Sequence, residues 1–189
     1  MAKTIDEYLN EITTLAVDTG REQLSQRWYR DRVREVVPRT LTDSNIVTSI
    51  RQGESTTRPT FGLMNLMMYD PKLKESLPYY DKLPLVIPIK RYSDGFLGLN
   101  FHYLSVPMRL QLLEKIMPFA AEGRIIGWNK VAKLRQVKPC VKRYLATHVI
   151  TRFLKIEEEQ MQLAAMLPVQ RFRKASARQV HTKSRGMIG

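Results

Sequence analysis

Three histidines, His102, His148 and His181, and one cysteine, Cys140, are the only imidazole and thiol groups in this 189-residue chain. They are scattered without the short intervals that a zinc site uses, so neither a metal nor a cofactor is expected. No P-loop, G-x-G-x-x-G or G-x-S-x-G pattern occurs. The one glycine cluster, GFLG at 95–98, falls in a hairpin pattern with no helix behind it to cradle a phosphate. Asp70, Asp81 and Asp94 could together hold Mg²⁺ for a nuclease. Each, however, sits beside proline, tyrosine or glycine, where aspartate usually forms a turn. Catalysis is therefore not expected.

The basic residues carry a stronger signal. The net charge is +13, and it is unevenly spread. Residues 1–58 hold nine Lys/Arg against nine Asp/Glu, residues 59–123 hold seven against six, and residues 124–189 hold fifteen against three. The acids of the last third are confined to Glu157, Glu158 and Glu159. A partner must supply the counter-charge, either a polyanion or an acidic protein surface. The candidate contacts are Lys130, Lys133, Arg135, Lys138, Lys142, Arg143, Arg171, Arg173, Lys174, Arg178, Lys183 and Arg185. The plain alternative is a solvated tail. Tyr79, Tyr80 and Tyr92 beside Lys82, Lys90 and Arg91 have the composition of a stacking platform for single strands. Aromatics at loop and edge positions more often pack a sheet against a neighbour, so partner packing is the preferred reading.

The elements that position these residues begin with helices. Thr4 and Glu7 form a capping box, Ile5, Tyr8, Leu9, Ile12, Leu15 and Ala16 recur at helical spacing, and Gly20 can close the helix. A second helix is predicted over residues 21–37, with Leu24 and Trp28 on one face and Pro38 as its stop. Residues 42–59 are polar and weakly periodic, and read as a connector with one helical turn at 46–50. Residues 60–69 are apolar on both faces, as in a strand covered on two sides. Residues 84–92 and 96–104 flank Ser93-Asp94-Gly95 and predict a hairpin with Gly95 at positive φ. Pro84 and Pro88 cannot donate to a ladder, which predicts a strand that lies at a sheet edge or is exposed on its proline side. In the return strand Leu97, Leu99, Phe101 and Tyr103 alternate with Gly98, Asn100 and His102, and Gly98 permits a close approach. A helix follows Ser105 and stops at Pro118. Further helices are predicted over 125–137, 139–148 and 157–166, a strand over 149–156, and a weak helix at 175–184. No apolar run approaches a membrane span, and the acidic, amphipathic N-terminus lacks a signal-peptide layout, so synthesis in a reducing cytoplasm is expected.

The run YDPKLKESLPYYDKLPLVIPIKRYSDGFLGLNFHYLS, followed by KPCVKRYLATHV and LPVQRFRKASARQV, resembles small virion proteins of T-even-like contractile-tailed bacteriophages. Proteins of this kind are described as DNA-end protectors or as virion structural proteins. The resemblance covers about residues 60–185, with the N-terminal helices outside it. It implies binding at the terminus of the packaged genome, near the head-tail neck, and shielding of that end from host exonucleases.

Together these readings predict an α+β chain: a small antiparallel sheet with a central hairpin, surrounded by helices, plus a basic C-terminal arm. The expected division is an N-terminal helical region and linker over 1–58, an α+β core over 59–167 and the arm over 168–189. The leading function is a non-enzymatic virion component that binds or shields the DNA terminus. The alternatives are a protein-protein joint of neck, tail or baseplate whose arm docks on neighbouring subunits, and a nucleic-acid-binding accessory protein of the infected cell. Expected partners are other virion proteins in a symmetric assembly and double-stranded DNA, with no membrane and no small-molecule substrate.

Overall fold

A computed structural model describes residues 3–19, 25–39, 41–121 and 126–189. Helix α1, Ile5–Asp18, starts where the sequence predicts, with Thr4 and Glu7 satisfying each other's backbone amides in a capping box. Its Ile5, Tyr8, Leu9 and Ile12 face is buried. Helix α2, Gln26–Val36, is capped by the Ser25 hydroxyl, which accepts from Trp28 N, and ends before Pro38. The predicted start at 21–24 and the closing Gly20 lie outside the described residues.

The expected connector is instead a full helix, α3, Asp43–Gln52. The Thr42 hydroxyl caps it by accepting from Asn45 N, and Ile46, Ser49 and Ile50 are buried. Burial of that face outweighs the poor intrinsic propensity of its β-branched and polar residues. Ser49 also helps dock α1, since its hydroxyl accepts from Ile5 N at 2.7 Å.

The strands form a six-stranded antiparallel sheet in the order β1-β7-β2-β4-β5-β6. They are β1 Ser55–Thr56, β2 Met64–Leu66, β4 Leu85–Tyr92, β5 Gly95–Asn100, β6 Val141–Leu145 and β7 Phe153–Ile156. A second ladder pairs β3, Tyr80–Asp81, with β8, Phe172–Arg173. The chain is thus α+β. The predicted strand at 60–69 is reduced to β2, buried throughout between β7 and β4. The hairpin at Ser93-Asp94 is as expected, with Gly95 at φ 156°.

Its proline-bearing strand, however, is not at an edge: β4 lies between β2 and β5. The ladder tolerates both prolines because Pro84 precedes the strand and β2 reaches only Leu85 and Val86. Pro88 therefore lies beyond β2's end, and on its other side the register with β5 shifts between Pro88 and Lys90. The alternation predicted for the return strand holds to Asn100 and then breaks, because Phe101–Tyr103 turn into a 3₁₀ helix.

Helix α4, Val106–Ala121, runs through Pro118 and does not stop there. The helix predicted over 125–137 shrinks to α5, Trp128–Val131, within the described residues. Residues 139–148 are not one helix: α6, Val137–Cys140, leads into strand β6. A cross-strand pair favours the extended form, because Tyr144 lies opposite Phe96 and the rings stack at 5.2 Å and 23°. Strand β7 extends the sheet as predicted, and α7, Met161–Met166, follows a 3₁₀ turn.

The core has two parts. The larger joins the helices to one face of the sheet through residues such as Leu9, Ile46, Leu85, Leu99, Leu112 and Leu163. The smaller, on Met67, Tyr69, Val86, Phe96, Tyr144 and Phe153, belongs to the other face. Gly98 allows the close approach expected of it, since a Cβ there would strike Val86 Cγ1.

Residues 168–189 fold back on the body. Strand β8 pairs with β3, and α8, Ala177–Ile188, opens with a Ser176/Gln179 capping box and buries Val180 and Ser184. Arg171 donates through Nε to Asp43 Oδ1 at 2.9 Å and through Nη2 to the Leu41 carbonyl. Among the described residues no helix is long and apolar enough to cross a membrane.

Candidate nucleic-acid interface

Of the three aspartates singled out in the sequence, Asp70 accepts from Lys74 and Asp94 pairs with Arg143 at the hairpin turn. Asp81 is different. Its carboxylate is buried, with Leu83 N and Arg171 N donating to Oδ1, Asn100 Nδ2 donating to Oδ2, and His102 Nδ1 2.7 Å from Oδ2. Burial opposes the charge, yet these donors hold the carboxyl below its ordinary range. Burial lowers the His102 pKa, Asp81 opposes that shift, and the charges of Arg109 and Arg171 reinforce it. The lowered pKa favours the neutral ring, and the 2.7 Å contact with Asp81 Oδ2 assigns its proton to Nδ1.

A carboxylate-histidine pair has the form of a proton relay, but these side chains are 1% and 0% exposed, so no substrate reaches them. The pair instead fixes β3 against the 3₁₀ turn. Arg109, also fully buried, donates to the Leu104 and Ala165 carbonyls and to Gln170 Oε1. Cys140 is buried, its thiol pushed up to about 12 by desolvation, and is chemically quiet. Among the described residues no three His, Cys, Asp or Glu side chains are placed to share a metal ion.

The basic residues divide into those that hold the fold and those that face outward. Arg171 belongs to the first group. So does Lys174, at φ 66°, whose ammonium donates to the carbonyls of Lys74, Glu75 and Leu77 at 2.6, 2.8 and 3.2 Å and pins that loop. Arg143 is engaged by Asp94 and lies 4.0 Å over the Tyr92 ring.

Arg173, Arg178 and Arg185 are exposed, as are Lys130, Lys133, Arg135 and Lys138. Lys130 sits 5.8 Å over Phe119. Helix α8 packs on α6 and on the 3₁₀ turn. That packing brings α8 and its exposed cations beside α6, which leads into β6.

Between them lies an aromatic array. Lys142 Nζ stands 4.1 Å from the Tyr103 ring centre, and Lys183 Nζ 5.3 Å from that of Tyr79. Tyr79 and Tyr103 are 6.0 Å apart, and Phe172 meets both edge-on at 6.4 and 5.2 Å. His181 closes the group, 6.4 Å from Phe172 and with Nε2 2.9 Å from the His102 carbonyl.

Of the three tyrosines named from sequence, only Tyr79 joins this array. Tyr80 pairs with Arg173 in the short ladder, and Tyr92, 38% exposed, lies between Lys90 and Arg143. Sequence reasoning missed Tyr103, Phe172 and His181. They are separated by up to 78 positions, and only the β3-β8 pairing brings them together.

Two clefts flank this side of the sheet. One, of about 370 Å³, lies among Tyr69, Tyr80, Tyr103, Lys142, Arg143 and Tyr144, with Lys72 and Leu73 at its loop wall. The other, of about 410 Å³, lies at the hairpin tip among Arg58, Phe61, Arg91, Tyr92 and Phe153.

No curated protein and no solved structure matched the chain. A family model did match, over residues 3–184. The match starts at residue 3 and takes in α1, α2 and α3, which the sequence resemblance had left out. On that match the chain belongs to the family of the phage T4 terminal DNA protecting protein.

Proposed function

We propose that this chain binds the terminus of packaged phage DNA near the head-tail neck and shields it sterically, without catalysis. The observation that carries this reading is the placement of Lys142 and Lys183 over Tyr103 and Tyr79, at 4.1 and 5.3 Å. Ammonium groups held on aromatic faces are partly ordered, so they meet a phosphate with less entropy left to lose. Arg173, Arg178 and Arg185 extend the charge around them. Such a surface draws in duplex through its phosphates without reading sequence. The family match supports the DNA-protecting part of the reading.

The test is protection of linear duplex from a processive exonuclease by the purified protein at low salt. Wild-type protein is expected to protect, and the double variant Lys142→Glu/Lys183→Glu to lose protection while still melting cooperatively. Undiminished protection by that variant would move the interface elsewhere.

The exposed hairpin tip favours a second reading, a joint onto other virion proteins in a symmetric assembly. Arg91 lies there 5.0 Å over Phe61 beside a cleft of about 410 Å³. Loss of particle incorporation in Arg91→Glu, with DNA protection intact, would assign the tip to that role.

A further inference from the structure

An end protector needs more than affinity for phosphates, because every internal stretch of duplex offers the same backbone. A terminus differs in having a nucleotide with no neighbour on one side, free to leave the stack. The cleft beside β6 has the dimensions and lining for such a nucleotide. At about 370 Å³ it lies in the range of small-ligand sites and is far too narrow for a duplex. Tyr69, Tyr80, Tyr103 and Tyr144 line it, and Lys142 and Arg143 stand along one wall.

We infer that this cleft seats the unpaired terminal nucleotide of a DNA end, with its base against Tyr80, the one cleft tyrosine that is not buried, and its phosphate at Lys142. The inference rests on the DNA-end reading above and adds the feature that tells an end from an interior.

The orientation follows from the lining. Asp81, at the floor, already receives four donors and has none to offer a phosphate. Asn100 is likewise committed, donating to Asp81 and accepting from His102 N. The polar floor is thus closed to an anion. Positive charge comes from Lys142 on the wall and from exposed Lys72 on the loop wall. Lys142 is half-buried and has no acidic partner among the described residues. Burial lowers its pKa, which marks an ammonium with reduced hydration. A phosphate arriving there exchanges little water for a direct contact. Base-aromatic stacking then adds affinity that tolerates any base, as a terminus of arbitrary sequence requires.

The test compares a linear duplex with short single-stranded overhangs against the same duplex closed at both ends by hairpin loops. Wild-type protein is expected to favour the open form by about tenfold or more, the range that one stacked base supports. Lys142→Met should abolish most of that preference, weakening the open form far more than the closed one. Lys183→Met removes the same charge from outside the cleft and should weaken both forms alike. If the two variants behave identically, the cleft is not the end site, although the DNA reading stands. If wild-type protein binds neither duplex, the DNA-end reading itself fails and this inference with it.

A second measurement needs no variant. A photoreactive 5-iodouracil at the last overhang position should crosslink to Tyr80, and the same base at an internal position should not. Crosslinks of the terminal base confined to other residues would overturn the assignment.

Discussion

Arg171 Nε lies 2.9 Å from Asp43 Oδ1, joining the residue ahead of β8 to the start of α3 across 128 positions. The guanidinium also donates to the Leu41, Pro168 and Gln170 carbonyls. A residue that composition assigns to a DNA-binding arm is therefore a strut. Arg171→Met should cost about 1–2 kcal/mol, reduced from a fully buried bond because Asp43 is 41% exposed. A double-mutant cycle with Asp43→Asn checks it, and additive losses would show that the contact contributes nothing. Truncation after Leu167 removes Arg171, β8 and α8 together and should abolish cooperative melting, so that truncation reports on the fold before it reports on DNA.

The Asp81-His102 pair predicts acid sensitivity. Burial lowers the His102 pKa in the folded state, whereas in the unfolded chain it titrates near 6.5. Below that value the unfolded state binds the extra proton first, so stability is full above it and falls as pH drops. The limiting slope is about 1.4 kcal/mol per pH unit for one such group. His181, lowered by burial as well, acts in the same direction. Asp81, held low, adds its own loss only below the ordinary carboxylate range. Melting temperature should therefore decline from pH 7 to pH 5, and the decline should be shallower in His102→Asn. An equal slope in that variant would exclude His102 as the titrating group.

Gly95 joins the hairpin to the edge strand. Its φ is 156°, and a Cβ would collide with the Tyr144 carbonyl oxygen and press on Leu145 Cα. Gly95→Val should destabilise by at least about 2 kcal/mol, because both the turn and the β5-β6 ladder must shift. Thermal melting measures it, and an unchanged midpoint would mean that the register is set elsewhere.

What could be read in the sequence was local. The Thr4/Glu7 box, the Ser93-Asp94-Gly95 turn and the 149–156 strand signal follow from residues close together in the chain. The central place of β4 was not legible, because it depends on how short β2 is and on a register shift beside Pro88. Nor was β6 legible, since its strand character comes from Tyr144 meeting Phe96 across the sheet. Asp81 illustrates the limit for chemistry: Pro-Tyr-Tyr-Asp reads as a turn, and nothing nearby announces His102 or the Arg171 amide. The basic C-terminal signal was legible as charge but not as role. Arg171 and Lys174 serve the fold, and Lys142 and Lys183 gain their meaning from aromatics outside their own segments.

That division changes what salt dependence should look like. With Arg171 and Lys174 committed to internal carbonyls and to Asp43, the C-terminal cations left to meet a polyanion include Lys138, Lys142, Arg173, Arg178, Lys183 and Arg185. If each neutralises one phosphate, counterion release gives a slope of log K against log[salt] of about −5 on duplex DNA. Replacing any one of them by Met should make the slope shallower by about 0.9, with little change in sequence preference. Replacing Arg171 should leave the slope unchanged wherever the variant still folds, because its charge is spent inside the molecule. Binding titrations of a linear duplex over a series of salt concentrations measure both. A full unit lost from the slope in Arg171→Met, with folding intact, would show that Arg171 reaches DNA after all and that its bond to Asp43 opens on binding.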